Sequence, residues 1–379
     1  MEVLEGASTL ERNILRQAKA ARLPVNGSME LTPLCNMNCD MCYVRLSRAQ
    51  MEARGRLKTG AEWLRLGREM KEAGVLFLLL TGGEPLTHPD FKELYLGLRA
   101  LGMILTINTN GTLIDEEWAA FFGQYPPRRI NITLYGADNG AYERLCHRPG
   151  GFDSTVNAIR LLKQNGVDVK VSSSLTRANR DDWPRILRIG QALDVPVRMD
   201  TYMCPATRER NKPFEQQVRM DPEEAARTRV KVLRAEMGDE IFLQSAALQL
   251  NRAAHGPAEP GRRGLRCMAG SCSFAVNWQG KLRPCVISSA PEEDAFSLGF
   301  STAWARLVDK SEELQLSPTC AACQLRDVCI TCAQYALYEC GACDAVPAYL
   351  CRYTRETLRE MDRVSKLIRQ TAGVQEVCP

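Results

Sequence analysis

Histidine is scarce in this chain, whose 379 residues include only His88, His147 and His255. No two of them have the spacing of a metal-ligand pair, so we expect no histidine metal site. Long apolar runs are also missing, because the longest, residues 75–80, is far shorter than the roughly 20 residues of a membrane-spanning helix. Residues 1–28 lack the apolar core of a signal peptide. The sequence therefore predicts a cytoplasmic protein without a membrane partner.

An excess of charge of one sign is missing too. The chain has 49 basic and 45 acidic side chains, a formal net charge of +4, which is too small to favour nucleic-acid binding. Its 45% hydrophobic and 25% charged residues are usual for globular proteins and exclude a mainly disordered or coiled-coil chain. The length suits a large catalytic domain with a smaller domain appended.

Cysteine, by contrast, is abundant and unevenly distributed. Of 16 cysteines, three form a group near the start, Cys146 and Cys204 stand alone, ten fall between residues 267 and 351, and Cys378 lies in the tail. Secreted disulfide scaffolds are short and carry signal peptides, so we interpret most of these thiols as metal ligands of a cytosolic protein. The distribution predicts one metal site at the front and a metal-rich domain at the back.

Repeating strand–helix units fill the first half of the chain. Apolar runs predict six strands, at residues 28–31, 75–80, 103–108, 130–134, 167–173 and 195–202. Thr59 and Glu62 form a capping-box pair that opens one helix, Pro89 opens the next, and Asp153 is the expected N-cap of another. Because an eight-unit barrel needs about 250 residues, we expect an α/β fold with a partial (β/α)6 barrel.

The organisation of the whole chain follows from these patterns. We expect an N-terminal helical extension at residues 1–27, the partial barrel at 28–205, a charged helical linker at 206–265, a cysteine-rich domain at 266–352, and a C-terminal helix and tail at 353–379. Basic and acidic residues alternate in the linker, which favours a solvated surface over an anion-binding patch.

The first motif with chemistry is Cys35-Asn-Met-Asn-Cys39-Asp-Met-Cys42, which follows the first predicted strand. Active sites of parallel α/β folds lie at this end of the strands. Iron–sulfur clusters normally take four cysteines, so a group of three without a near fourth leaves one iron open to another ligand. Zinc is the alternative, but its usual signature is a pair of C-x2-C knuckles.

The second motif, Thr81-Gly82-Gly83-Glu84-Pro85, follows the predicted strand at residues 75–80. Two glycines allow the backbone to approach a ligand closely. The Glu84 carboxylate can pair with an ammonium group, and Pro85 stiffens the exit from the turn. Alone, such a turn is typical of many strand–helix connections, but together with the cysteine triplet it indicates a ligand site.

These two motifs resemble those of the radical S-adenosylmethionine (radical SAM) superfamily in spacing and in strand context. The resemblance implies a 4Fe–4S cluster on Cys35, Cys39 and Cys42, whose open iron is chelated by S-adenosylmethionine (SAM). Reductive cleavage of SAM would then give a 5′-deoxyadenosyl radical that abstracts a hydrogen atom from the substrate. An external electron donor of the flavodoxin or ferredoxin type is also implied.

The resemblance assigns further residues to SAM: Tyr43, Gly82, Gly83, Glu84, Asn110, Thr133 and Arg144. The Gly-Gly-Glu segment would hold the methionyl amino group. Thr133 would hydrogen-bond the carboxylate or the ribose, and Arg144 would pair with the carboxylate, with Arg148 as the competitor for that role. Asn110 would face the site from the end of the third strand. Ordinary turn and strand chemistry is the alternative explanation for Thr133 and Asn110.

The C-terminal cysteines resemble the SPASM domain of radical SAM maturases. Gly280 and Cys285 match its Gly-x4-Cys element, and the C-x2-C-x5-C core matches except that its last gap is two residues instead of three. By analogy, two auxiliary 4Fe–4S clusters would use Cys267, Cys272, Cys285 and Cys332, and Cys320, Cys323, Cys329 and Cys351. Cys340 and Cys343 are alternatives to Cys332 or Cys351, and zinc ribbons are the alternative to both clusters.

The family fixes the radical and not the substrate. SPASM-bearing relatives mostly modify peptides or proteins, which implies a thioether, a carbon cross-link or an epimerised residue as product. The alternatives are a small-molecule or haem-related substrate and, from another class, a non-catalytic iron–sulfur scaffold or electron carrier. Sulfatase maturases carry an aspartate where this chain has Val286, which disfavours that reaction. Because residues 1–27 alone precede the first predicted strand, we expect leader binding to be minimal or supplied by a separate protein.

Cys204 follows the sixth predicted strand, at the same end of the sheet as the cysteine triplet. A thiol there would donate a hydrogen atom to a substrate radical. The alternatives are that it binds a cluster or is buried without a role. Cys146 and Cys378 are predicted to be free thiols without a role.

Overall fold

A mixed sheet of nine strands forms the centre of the protein, whose computed structural model describes residues 8–205, 208–210 and 218–371. In chain order the strands are β1 Asn26–Glu30, β2 Phe77–Thr81, β3 Ile104–Thr109, β4 Arg129–Thr133, β5 Val169–Ser174, β6 Val197–Asp200, β7 Ser273–Val276, β8 Lys281–Arg283 and β9 Glu293–Asp294. They lie side by side in the order β6-β5-β4-β3-β2-β1-β7-β8-β9. Strands β1 to β7 are parallel, and β8 and β9 add an antiparallel edge.

Helices alternate with the first six strands. The helices are α1 Thr9–Ala21, α2 Arg48–Glu52, α3 Gly60–Glu72, α4 Phe91–Ala100, α5 Glu116–Gln124, α6 Asn139–Cys146, α7 Gly151–Gln164, α8 Trp183–Ala192, α9 Pro222–His255, α10 Ala295–Leu298, α11 Phe300–Glu312, α12 Pro318–Ala321, α13 Ala333–Cys340 and α14 Ala348–Thr371. This alternation confirms the predicted α/β fold with a partial barrel. The positions of the strands confirm the six apolar runs to within a few residues.

Two helices begin at residues other than those predicted. The α3 capping box of Thr59 and Glu62 is confirmed. Asp153 is not the N-cap of α7, because left-handed Gly150 (φ 69°) turns the chain into the helix two residues before Asp153. Similarly, α4 begins at Phe91, two residues after Pro89.

The sheet extends beyond the six predicted strands because β7, from the cysteine-rich region, pairs in parallel with β1. Asn26 has Phe77 as its partner on one side and Ser273 on the other. A Cβ atom at Gly27 would lie 2.3 Å from the ring of Phe274, so only glycine permits this close pairing. The shared sheet holds the C-terminal cysteines in a fixed position relative to the loop after β1.

Apolar side chains of the central strands, such as Leu80, Ile107 and Ile132, are fully buried and form the main core. A smaller core joins α9 to α14, and α9 bends at Gly238, where φ is 76°. Among the described helices, none is both long and apolar enough to cross a bilayer.

Candidate active site

The loop that follows β1, residues 32–46, carries the cysteine triplet and is called the cysteine loop below. It packs against the Gly-Gly turn that follows β2. The Gly83 N–H donates to the Thr32 carbonyl at 2.6 Å. A Cβ atom at Gly82 would lie 2.5 Å from the Thr32 oxygen, and one at Gly83 would lie 2.2 Å from the Leu34 oxygen. Because a side chain at either position would push the loop away, the two glycines fix where the three thiols lie.

The Glu84 carboxylate is fully buried and bonded within the chain. It accepts hydrogen bonds from the Thr109 hydroxyl at 2.7 Å, the Asn110 N–H at 2.8 Å and the Leu86 N–H at 3.2 Å. Burial raises its pKa to about 7, and these three donors oppose that rise. The carboxylate ties the turn after β2 to the end of β3. Oε2 accepts only one of these bonds and keeps a second lone pair, so the pairing of Glu84 with an ammonium group stays a prediction.

The thiols of the cysteine loop have N–H donors close to their sulfur atoms. Met37 N–H donates to Cys35 at 3.4 Å, and Arg45 N–H donates to Cys42 at 3.3 Å. The side-chain amide of Asn110 lies 3.7 Å from the Cys35 sulfur, so Asn110 does face the loop. Donors of this kind stabilise a thiolate over a thiol, which suits sulfur atoms that ligate iron.

A mononuclear zinc site would need several thiols about 2.3 Å from one ion. Within residues 8–205, 208–210 and 218–371, no three His, Cys, Asp or Glu side chains converge in that way. In the cysteine loop the Cys35 sulfur has those of Cys39 and Cys42 as electrostatic neighbours, and a donor set of three thiols fits a cluster of several irons.

A positive charge reaches the cysteine loop from a residue that the sequence did not single out. Arg210 donates to the Cys39 carbonyl at 3.2 Å, and its charge opposes the rise that burial causes in the pKa of Cys42. Arg144, the predicted partner of a carboxylate, is exposed on α6 near Asp138. Arg210 was missed because it lies far along the chain, in a charged segment whose pattern predicts only a solvated surface.

Tyr43 and Thr133 have different contacts. Tyr43 is largely buried, and the Arg208 guanidinium lies 5.0 Å from the centre of its ring. Thr133 ends β4, and its carbonyl accepts a hydrogen bond from the Tyr142 hydroxyl at 3.4 Å. Arg148 is half-buried after α6, where its N–H donates to the Tyr142 carbonyl.

Cys204 opens onto a small cavity between the cysteine loop and the C-terminal region. The cavity is too narrow to hold a water molecule and is lined by Tyr43, Cys204, Pro205, Arg208, Ile287 and Tyr338. Burial raises the pKa of Cys204 to about 12, so this thiol keeps its hydrogen at neutral pH. Cys285 and Cys332 are close enough to contribute to that rise.

The C-terminal cysteines form two groups that match the two predicted ligand sets in most members. Electrostatic contacts join Cys285 to Cys267 and Cys332. A second group consists of Cys320, Cys323, Cys329 and Cys351. Burial raises the pKa of Cys285 to about 12 and that of Cys320 to about 11, so iron would have to displace protons from these thiols.

The remaining cysteines differ in their surroundings. Cys272 is buried against α1, where its thiol contacts the Leu15 carbonyl at 3.7 Å, and it is an electrostatic neighbour of Cys267. Cys340 is exposed near Cys351, and Cys343 is half-buried. Cys378 lies outside the described residues.

Comparison with known proteins begins with a family match: residues 29–188 match the radical SAM superfamily. The PqqA peptide cyclase of Granulibacter bethesdensis is 31% identical over 172 residues, which are 45% of this chain and 45% of that protein. The match thus spans less than half of that relative. An AdoMet-dependent heme synthase of Methanosarcina barkeri is 24% identical over 329 residues, which cover 82% of this chain and 92% of the relative.

A solved structure resembles most of the chain. The crystal structure of Streptococcus suis SuiB bound to precursor peptide SuiA superposes with a TM-score of 0.65 at 16% identity, covering 90% of this chain and 80% of that one. At this identity the likeness concerns the fold. It includes the C-terminal region as well as the partial barrel.

Proposed function

We propose, from the premise that residues 29–188 form a radical SAM domain, that this protein is an enzyme that modifies a peptide or protein by hydrogen-atom abstraction. A 4Fe–4S cluster held by Cys35, Cys39 and Cys42 would supply the electron that cleaves bound SAM to the 5′-deoxyadenosyl radical. The observation that carries the proposal is the close packing of the Gly82–Gly83 turn on the cysteine loop. That packing supports a ligand site formed by the thiols of the cysteine loop together with the backbone of the two glycines, which carry no side chain.

The chain's own residues have distinct roles in this proposal. The backbone of Gly82 and Gly83 binds the amino group of SAM, and Glu84 positions that turn through its bonds to Thr109 and Asn110. Arg210 donates to the Cys39 carbonyl and its charge opposes the rise in the pKa of Cys42, so it would offset negative charge on the cluster. Thr133 and Arg144 remain predicted SAM contacts.

A peptide or protein is the proposed substrate class. The names of two similar proteins, a peptide cyclase and SuiB with its precursor peptide, point to the same substrate class. In this proposal Cys204, which keeps its thiol hydrogen, returns a hydrogen atom to the substrate radical.

Two auxiliary 4Fe–4S clusters complete the proposal. The electrostatic contacts of Cys285 and of Cys351 support the predicted ligand sets, with Cys272 required to turn from α1 toward Cys267. The electrons come from a flavodoxin- or ferredoxin-type donor. The cytoplasmic location is part of this proposal, since all three clusters need a reducing compartment.

A second candidate function is the modification of a haem-related substrate. It is favoured by the extent of the match with the M. barkeri heme synthase, which covers 82% of this chain against 45% for the peptide cyclase.

The test uses the full chain, reconstituted with iron and sulfide under anaerobic conditions. We expect about 12 irons per chain, four for each cluster, and formation of 5′-deoxyadenosine when SAM and a reductant are added. The Cys35→Ala, Cys39→Ala, Cys42→Ala triple variant should lose about four irons and all 5′-deoxyadenosine. Wild-type protein that binds iron but never cleaves SAM would leave only the scaffold or electron-carrier function.

The substrate class is tested in the same assay with two probes. One is the peptide encoded by the short open reading frame nearest to the gene, and the other is iron coproporphyrin. Deuterium transfer from a labelled probe into 5′-deoxyadenosine identifies the substrate. Transfer from the porphyrin and none from the peptide would replace the proposed function with the second candidate.

A further inference from the structure

Two threonine hydroxyls lie beside the sulfur of Cys329. Thr331 Oγ1 is 3.0 Å from this sulfur, and Thr354 Oγ1 donates to it at 3.4 Å. The two threonines are buried, with 4% and 5% of their surface exposed. The reaction described above uses neither hydroxyl, and the sequence predicted no role for them. The cysteine belongs to the set predicted to hold the second auxiliary cluster, together with Cys320, Cys323 and Cys351.

The hydroxyl of Thr354 leaves its own helix. Threonine hydroxyls inside helices commonly bond to the carbonyl one turn back, as Thr357 does to Tyr353 at 2.8 Å in α14. Thr354 instead donates to a sulfur that lies 25 residues earlier in the chain. Residues three apart in a helix share a face, so this bond places the Cys329 sulfur beside the face of α14 that carries Cys351.

The segment around Cys329 is held by its own hydrogen bonds. The Cys329 N–H donates to the Leu325 carbonyl at 2.9 Å, and the Arg326 N–H donates to the Cys323 carbonyl at 2.9 Å. The guanidinium of Arg326 is buried and donates to the Thr331 carbonyl at 2.8 Å. These bonds fix the backbone at both ends of the contact between the hydroxyl of Thr331 and the sulfur.

Iron binding determines the direction of the bond to Thr331. In the structure either atom of that pair can be the donor. A sulfur that ligates iron has lost its proton and can only accept, so both hydroxyls become donors to it. The reduced cluster carries one more negative charge than the oxidised cluster, and donors to its sulfur atoms therefore stabilise the reduced state more. Such hydrogen bonds are among the factors that set cluster potentials.

We propose that Thr331 and Thr354 are positioning residues that donate hydrogen bonds to the iron-ligating sulfur of Cys329 and raise the reduction potential of the second auxiliary cluster. This inference rests on the proposed function, because it requires a cluster on that set of cysteines. One hydroxyl comes from the segment of Cys329 and the other from α14, so each can be removed without moving the other. Together they make the cluster easier to reduce than its four thiolates alone would.

The test is a redox titration of reconstituted full-length protein followed by electron paramagnetic resonance (EPR). The SAM-binding cluster is recognised as the signal that changes when SAM is added, and the other signals belong to the auxiliary clusters. We expect Thr331→Val to lower one auxiliary potential so that the ratio of reduced to oxidised cluster at a given potential falls about tenfold, which corresponds to about 59 mV. Thr354→Val should lower the same potential by less, because its hydroxyl lies farther from the sulfur.

Matched variants separate the hydrogen bonds from the packing of the side chains. Thr331→Ser and Thr354→Ser keep the hydroxyl and should retain most of the wild-type potential. Thr357→Val removes a hydroxyl of the same helix whose partner is a carbonyl, and it should leave every potential close to that of the wild type. We expect about 12 irons per chain in all of these variants.

The outcomes separate failure of this inference from failure of the proposed function. Unchanged auxiliary potentials in both valine variants, shifts of two different signals, or equal shifts in the valine and serine variants would overturn the inference alone. A valine variant that loses about four irons while its serine counterpart keeps them would assign the hydroxyl to cluster assembly and also overturn it. A wild-type protein with about four irons and only the SAM-sensitive signal would overturn the auxiliary clusters of the proposed function itself.

Discussion

Arg208 and Glu30 form a bidentate ion pair at 2.8 and 2.9 Å, with both side chains only 3% exposed. Arg208 also donates to the carbonyl of Val286, which follows the predicted ligand Cys285. Its guanidinium lies over the ring of Tyr43, which follows the cysteine triplet. One buried side chain thus joins the end of β1, the cysteine loop and the first auxiliary-cluster region.

Breaking this pair should destabilise the protein strongly. Glu30→Gln leaves the buried Arg208 charge without its main partner, a change that typically costs about 3–5 kcal/mol, with the lower end expected because Glu209 lies 3.5 Å away. The matched control is Arg56→Gln in the exposed Arg56–Glu62 pair, which should cost less than about 1 kcal/mol. Anaerobic thermal unfolding of the holoproteins measures both, and equal shifts in Tm would contradict the prediction.

A side chain at Gly83 should displace the cysteine loop. The Cβ atom of Gly83→Ala would lie 2.2 Å from the Leu34 oxygen, which is a clash with backbone that no rotamer relieves. We expect loss of the SAM-sensitive EPR signal and at least a hundredfold less 5′-deoxyadenosine, while about eight irons of the auxiliary clusters remain. Gly264→Ala, where a Cβ atom meets nothing within 4 Å, should match the wild type in both measurements.

The hydrogen bond between Glu84 and Thr109 should make the free energy of unfolding depend on pH. The pKa of Glu84 is raised in the folded state to about 7, so stability is lost as the pH rises from the ordinary carboxyl value to about 7. Thr109→Val removes a donor to the carboxylate and raises this pKa further, which extends the loss to higher pH and costs about 1 kcal/mol more at pH 8.

At pH 6, where Glu84 is mostly protonated, the same variant should lose less stability. Anaerobic thermal unfolding at pH 6 and pH 8 measures the difference. Thr106→Val, on the half-buried face of the same strand, should show no such dependence. A loss for Thr109→Val that is equal at both pH values would contradict the assignment of the charged form.

Local patterns predicted the parts of the site that depend on local spacing. The cysteine triplet, the Gly82–Gly83 turn and the capping box at Thr59 each lie within a few consecutive residues. The apolar runs that alternate with helices predicted the α/β fold, which the structure confirms. The structure also places Asn110 against Cys35, as expected for a residue at the carboxyl end of a parallel strand.

Long-range contacts account for what the sequence did not predict. The β1–β7 pairing joins Asn26 to Ser273, and β7 is too short to stand out from its composition. Arg210 reaches the cysteine loop from beyond β6. In each case the contact depends on how segments that are distant in the sequence pack together in the partial barrel. A pattern within a few neighbouring residues does not contain that information.

The thiol of Cys204 should be dispensable for SAM cleavage and required for the product, if it returns a hydrogen atom to the substrate radical. Cys204→Ala keeps the cysteine loop intact, so 5′-deoxyadenosine should form at a rate within about twofold of the wild type. The modified peptide, followed by mass spectrometry in deuterated water, should fall at least a hundredfold. Cys204→Ser fills the same cavity but has an O–H bond too strong to give up its hydrogen atom, and it should behave like the alanine variant.

Because Cys204 lies near Cys285 and Cys332, iron content must also be measured. A loss of iron in Cys204→Ala would identify a cluster ligand, and full product formation would remove Cys204 from the reaction.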